Sequence, residues 1–288
     1  MGPEDMTRDD GVKVKGMDEA MMAKVCNDFY QISRFAKKCG FDGVMLHGGH
    51  GFLLQQFISP WTNHRTDQYG GSMANRSRFP KMILEACRKG IGEDGILELR
   101  FSAEDGVPGG MTIDDTVEFC KEIDGMADIL HISNGLKWLG NQTKTFSSFL
   151  EPHGLNVEYA AKIKAAVKKS YVATIGGFNG PELAEKVIAE GKADFVEFGR
   201  QCFADPNMPN KHLMARKIVF AAVCAASTVI QDFANIQLIF HWIRKLALKR
   251  LPKYTRRCRW GSVLLTPKAA SGFILILCRR HSQHIKSW

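Results

Sequence analysis

The sequence predicts an α/β fold built on a parallel sheet. Three observations carry this. Short apolar runs alternate five times with segments of helical periodicity, the runs end in glycine-containing or polar turns, and 288 residues suffice for one large domain with a sizeable core.

Met1 to Gly16 is polar and charged and reads as a frayed terminus. Met21 to Lys38 carries Val25, Phe29, Ile32, Phe35 and Ala36 at spacings of three and four, which predicts a helix. Cys39-Gly40-Phe41-Asp42-Gly43 then leads into a strand, Val44 to Leu46, followed by His47-Gly48-Gly49-His50-Gly51. The glycines remove the Cβ atoms that would keep a planar ligand off the backbone. Two histidines three apart on such a turn can offer N–H donors to a carbonyl or an anion; the alternative is that both satisfy loop carbonyls. Helices follow at Arg76 to Lys89, Ile113 to Ile123, Val157 to Lys169 and Pro181 to Glu190. Strands follow at Ile96 to Phe101, Asp128 to Ile132, Tyr171 to Ile175 and Asp194 to Phe198.

The run HGGHGFLLQQFISPWTNHRTDQYGGSMANRSRF, from His47 to Phe79, resembles the signature of the Old Yellow Enzyme superfamily. Within it the similarity is to the branch of NADH:flavin oxidoreductases, 2,4-dienoyl-CoA reductases and enoate reductases. Thr174-Ile175-Gly176-Gly177, Ala193-Asp194-Phe195-Val196, Gly199-Arg200 and Ala204-Asp205-Pro206 stand downstream in the family's order. The resemblance covers roughly Met6 to His212. It implies a partial (β/α)8 barrel, about strands four to eight, over residues 1–212, with three strands missing in front. An open half-barrel of that kind is expected to expose the apolar edges and inner faces of its end strands, to aggregate, pair with another copy as a homo-oligomer or stay loosely packed, and to reduce substrates weakly or not at all, the alternative being a non-catalytic barrel fragment.

The same resemblance implies FMN as cofactor and NAD(P)H as reductant in complete relatives. His47 and His50 match the pair that binds the carbonyl oxygen of an α,β-unsaturated small-molecule substrate. Electron withdrawal there would make the β-carbon a better hydride acceptor. Phe52 stands where many relatives carry a proton-donating tyrosine, and a phenyl ring has no proton to give. Arg100 matches the arginine at the pyrimidine edge of the flavin; the less favoured alternative is a barrel-interior salt bridge. Gly176, Gly177, Gly199 and Arg200 match the phosphate cup, which without that context is a tight βα loop.

Arg65, Asp67, Tyr69, Asn75, Arg76 and Arg78 read as structural ties for the long loop after the first strand. Asp105 and Pro108-Gly109-Gly110 shape a later turn, and Glu104 and Asp105 are not placed as a carboxylate pair. His131 lines the pocket or is an ordinary loop histidine. His64 and His153 have no neighbours of metal-ligand type, and no metal site is read.

From Ala215 onward there are fourteen Lys and Arg against one acidic residue, Asp232, leaving 25 basic and 29 acidic residues before it. The net charge of +9 therefore belongs to residues 213–288, a basic, family-unrelated tail. Its composition reads as a shifted frame or disrupted gene end. Against this, Leu238 to Lys253 mixes apolar and basic residues in a way that suits nucleic acid or an anionic membrane, a less favoured reading. The eight cysteines include no CxxC pair, so an iron–sulfur cluster is not expected and reduced thiols of a cytoplasmic chain are. No signal peptide is visible, and Ile218 to Ile230 is too short to span a bilayer.

Overall fold

The computed structural model describes residues 1–7, 11–136, 145, 147, 151–206 and 208, together with the backbone of 273–277. A hairpin of β1 (Met6–Thr7) and β2 (Lys13–Val14) opens the chain. Next come α1 (Glu19–Lys38), β3 (Gly43–His47), α2 (Leu53–Ile58), α3 (Met73–Arg76), α4 (Arg78–Ile91) and β4 (Ile96–Ser102). They are followed by α5 (Ile113–Ile123), β5 (Ile129–Ser133), α6 (Val157–Ala166), β6 (Tyr171–Thr174), α7 (Pro181–Ala189), β7 (Phe195–Val196) and α8 (Arg200–Ala204). The last strand, β8 (Phe273–Leu277), lies far along the chain.

Strands β3 to β7 are parallel and adjacent in chain order, each joined to the next through a helix, as in a segment of a (β/α)8 barrel. The helix boundaries follow local chemistry. Asp18 caps α1 by accepting from the Met21 N–H, and Lys37 and Lys38 occupy its last turn, where cations suit the helix dipole. Thr112 and Asp115 close a capping box on α5. Pro181 opens α7, where its missing N–H costs nothing.

The two faces of the sheet differ sharply. Val44, Leu46, Leu97, Leu99, Phe101, Leu130, Ile132, Val172 and Val196 face the helices and join one apolar core with Phe29, Phe79, Ile83 and Phe119. Ring pairs reinforce it, with Phe57–Phe79 centroids at 4.5 Å and Phe101–Phe119 at 5.7 Å. Because side chains alternate along a strand, the opposite face carries Met45, His47, Glu98, Arg100, Ser102, His131 and Ser133. That polar face corresponds to a barrel interior.

Three expectations change. The terminus is not frayed: Gly2 bridges Gly16, and the Arg65 guanidinium donates to the carbonyls of Pro3 at 2.6 Å and Met17 at 2.9 Å. The edge of β3 is not open either, because β8 pairs with all five of its residues in antiparallel register. Nor is the inner face exposed, since Met45, Glu98, Arg100 and His131 are all buried. The rest of the expected tail lies outside the described residues, including Leu238 to Lys253. Among the described residues, no helix is long and apolar enough to cross a membrane.

Candidate functional site

The site is built where β3, β4 and β5 end. Gly48 continues the ladder by donating to the Arg100 carbonyl at 2.6 Å, and the chain then turns sharply. His50 sits at φ 57°, the left-handed region that a side chain other than glycine rarely adopts. Its backbone N–H donates to Ser102 Oγ at 3.0 Å, and Ser102 Oγ donates to the Gly135 carbonyl at 2.9 Å. These bonds to the neighbouring strand ends hold the strained turn. A Cβ on Gly49 would lie 2.9 Å from the Ser102 nitrogen and 3.0 Å from the Phe101 carbonyl carbon. The glycine there makes room for the β4 backbone, not for a ligand as the sequence reading had it.

The two histidines are brought together, but as partners. His50 Nδ1 lies 3.2 Å from His47 Nε2, with the rings edge to face at a centroid distance of 4.8 Å. One nitrogen donates and the other accepts, so the pair forms a relay and not two parallel donors. His50 Nε2 lies 2.7 Å from Ser133 Oγ, and the Arg100 guanidinium donates to the same oxygen at 3.3 Å. His47, His50, Ser133 and Arg100 are thus one chain of hydrogen bonds, with the Phe52 ring 4.8 Å from that of His47. Burial lowers the pKa of Arg100, while Glu197 and Glu98 push it back up.

The second group of candidates converges on Ser147. Arg200 donates to its carbonyl at 2.5 Å, and a Cβ on Gly177 would come within 3.1 Å of its Cβ. Gly177 has φ 71°, and its carbonyl accepts from His153 Nδ1. Gly176, at φ 152°, accepts from the N–H groups of Gly154 and Leu155. Gly199 caps α8 without a side chain. Gly177 and Arg200 therefore share one place in the fold; Ser147, which lies between them, carried no motif that marked it.

The other singled-out residues are mostly ties. Arg65 pairs with Asp67, Tyr69 donates to Glu19, Arg78 to the Gln68 carbonyl, and Arg76 reaches Asp115. Asp105 is fully buried and accepts from Gln55, Ser59 and the Met111 N–H, which lashes α2 to the loop after β4. His64 pairs with Glu4, and His153 with Gly177 and Asn179. His131 is not a loop residue; it sits within β5, fully buried, with Nδ1 2.7 Å from Glu98 Oε1 and 2.8 Å from Glu197 Oε1. Ser133, Glu98 and Glu197 were missed. Their signal was polar residues at alternate positions, Glu98-Leu99-Arg100-Phe101-Ser102 and His131-Ile132-Ser133, inside runs read as apolar.

Comparison with known proteins agrees with this architecture. The sequence model of the NADH:flavin oxidoreductase / NADH oxidase family matches residues 2–217. An NADH oxidase of Thermoanaerobacter brockii is 40% identical over 193 residues, covering 65% of this chain and 29% of that protein. A cinnamate reductase of Clostridium sporogenes is 33% identical over 216 residues, covering 70% of this chain and 32% of that protein. The solved structure of a 2-naphthoyl-CoA reductase complex superposes with a TM-score of 0.68 at 30% identity, over 75% of this chain and 33% of that one. Morphinone reductase shares the fold at a TM-score of 0.55. The chain spans about a third or less of the length of the two curated relatives.

Proposed function

We propose that this chain, which belongs to the NADH:flavin oxidoreductase / NADH oxidase family, carries the FMN-binding and substrate-polarising residues of an oxidoreductase that takes electrons from NAD(P)H and reduces an activated alkene. The single observation that carries this reading is the chain of hydrogen bonds from Arg100 through Ser133 and His50 to His47. The donor set suits a flavin: a buried guanidinium compensates negative charge on a pyrimidine edge, and Gly177 with Arg200 suits a phosphate dianion. When bound, FMN supplies the two-electron chemistry; everything else falls to the side chains.

Arg100 donates to Ser133 Oγ, which leaves the Ser133 hydroxyl proton free to point at His50 Nε2. His50 then donates from Nδ1 to His47 Nε2, and His47 carries its proton on Nδ1. In this arrangement the buried guanidinium polarises a relay that ends at half-buried His47, the residue proposed to meet the substrate carbonyl. Phe52, packed against His47, has no acidic proton to give, so the α-carbon takes its proton from solvent.

The test is to load the purified chain with FMN, reduce it anaerobically with NADH or NADPH, and add cinnamate. Stoichiometric binding and reoxidation by the alkene support the reading. A chain that retains no FMN overturns it; one that binds FMN and is reoxidised only by oxygen overturns the alkene assignment.

A further inference from the structure

Behind the relay, on the same face of the sheet, lies a cluster the proposed chemistry does not use. Glu98 stands two residues before Arg100 on β4, His131 is the cross-strand partner of Arg100 on β5, and Glu197 follows β7. Glu98 and His131 are 0% exposed and Glu197 is 1%. His131 Nδ1 lies within 2.8 Å of one oxygen of each carboxyl group. Glu98 meets it as a hydrogen bond, whereas Glu197 Oε1 is close without the alignment of one. One imidazole N–H cannot serve two buried anions.

We infer that Glu98 and Glu197 hold one proton between them beside neutral His131, and that the single remaining negative charge compensates Arg100, making all three positioning residues for the site. The charge count supports this. With His131 held neutral by its burial, two ionised carboxylates beside one guanidinium would leave an uncompensated buried charge, while one shared proton leaves none. The titratable and charged groups facing the cluster are His47 from β3, Arg100 from β4, and His50 beyond the Gly48-Gly49 turn; β5 adds Ser133 and β6 adds Ala173, neither charged. Burial pushes Glu98 up to about 7 and Glu197 up to about 8, helped at Glu98 by its repulsion from Glu197, and burial pulls His131 down to about 4. For such a pair the two steps belong to the cluster and not to either residue.

One oxygen from each carboxyl group and one His131 nitrogen lie within 4.8 Å of one another, a donor set that a divalent cation also fits. The Arg100 guanidinium already supplies the positive charge, which favours the proton. The consequence for the flavin rests on the function proposed above: loss of the shared proton adds a negative charge behind Arg100 and makes the flavin harder to reduce.

Two arms separate the inference from that reading. In the flavin-free chain at pH 7, infrared difference spectra against E197Q and against E98Q should each show loss of one protonated-carboxyl C=O band, because glutamine takes the place of the protonated partner. In the FMN-loaded chain, the plot of midpoint potential against pH should bend near neutrality in the wild type and run straight in E197Q. Absence of the band in the wild type overturns the inference, as does a stoichiometric divalent ion retained by the wild type and lost in both variants. A band without FMN binding overturns only the proposed function; a band with identical potential plots removes the positioning role. If either variant fails to fold, the other decides the infrared arm.

Discussion

Replacing Asp105 with alanine tests the joint that fixes the site loops. The carboxylate is 0% exposed and accepts from Gln55 Nε2 at 2.5 Å, Ser59 Oγ at 2.5 Å and the Met111 N–H at 2.7 Å. All three donors are themselves buried, so alanine strands each of them, at about 1–3 kcal/mol apiece. Part of that is offset, because burial raises the Asp105 pKa and removing the group relieves the cost of holding it there. A net loss of about 3 kcal/mol is expected, a large share of the roughly 5–15 kcal/mol that stabilises a typical domain. Asparagine keeps one acceptor oxygen, so D105N should lose about half as much. Urea unfolding reads both as a lower midpoint at unchanged slope. A D105A loss below about 1 kcal/mol at constant slope would refute the claim that this carboxylate binds α2 to the loop after β4.

Other outcomes follow from the same geometry. In Gly90→Ala, the new Cβ would lie 2.5 Å from the Tyr30 carbonyl oxygen and 2.7 Å from Ser33 Cβ, forcing α1 and α4 apart. A cost of about 1–3 kcal/mol is expected despite alanine's better helix propensity, and a higher Tm would contradict the close packing. Between pH 6.5 and 8 the stability should fall. Glu98 and Glu197 have raised pKa values, so the folded state holds protons that the unfolded state has already released; the opposing contribution of His131, whose pKa is lowered, is half spent at pH 6.5, fades over about the next pH unit and is outweighed by the two carboxyl groups. The slope is about 1.4 kcal/mol per pH unit per proton, and E197Q should flatten it; a flat wild-type curve would contradict the assignment. Phe52→Tyr places a phenol beside His47 and should speed alkene reduction without tightening FMN binding, as read by single-turnover reoxidation.

Much of the fold was legible because its signals are local. Helix caps, glycine stops and apolar runs mark β3 to β7 within one or two residues, apart from β7, which forms only Phe195–Val196. Periodicity overreached at Phe35, which completes an apolar stripe on paper yet is 47% exposed beyond the edge of the α1–α4 contact. The N-terminal hairpin is held by Arg65, Asp5 and His64 across distant positions, and no local pattern announces that. Likewise the pairing of β8 with β3 spans more than two hundred residues. Within the site, His47, His50 and Arg100 stood out by motif. Ser133, Glu98 and Glu197 did not, because a polar residue in an apolar run gains meaning only once register places it beside Arg100.

Arg100 and the Gly177–Arg200 turn are proposed to serve one bound flavin. Titration of the purified chain with FMN, followed by flavin fluorescence quenching, tests it most directly in the wild type, Arg100→Met, Arg200→Ala and a Lys164→Ala control on the helical side. Saturable one-to-one quenching is expected in the wild type and the control, and affinity weakened at least about tenfold in each arginine variant, the loss of one charge-assisted contact. Equal affinity in all four proteins, or no quenching in the wild type, would contradict it.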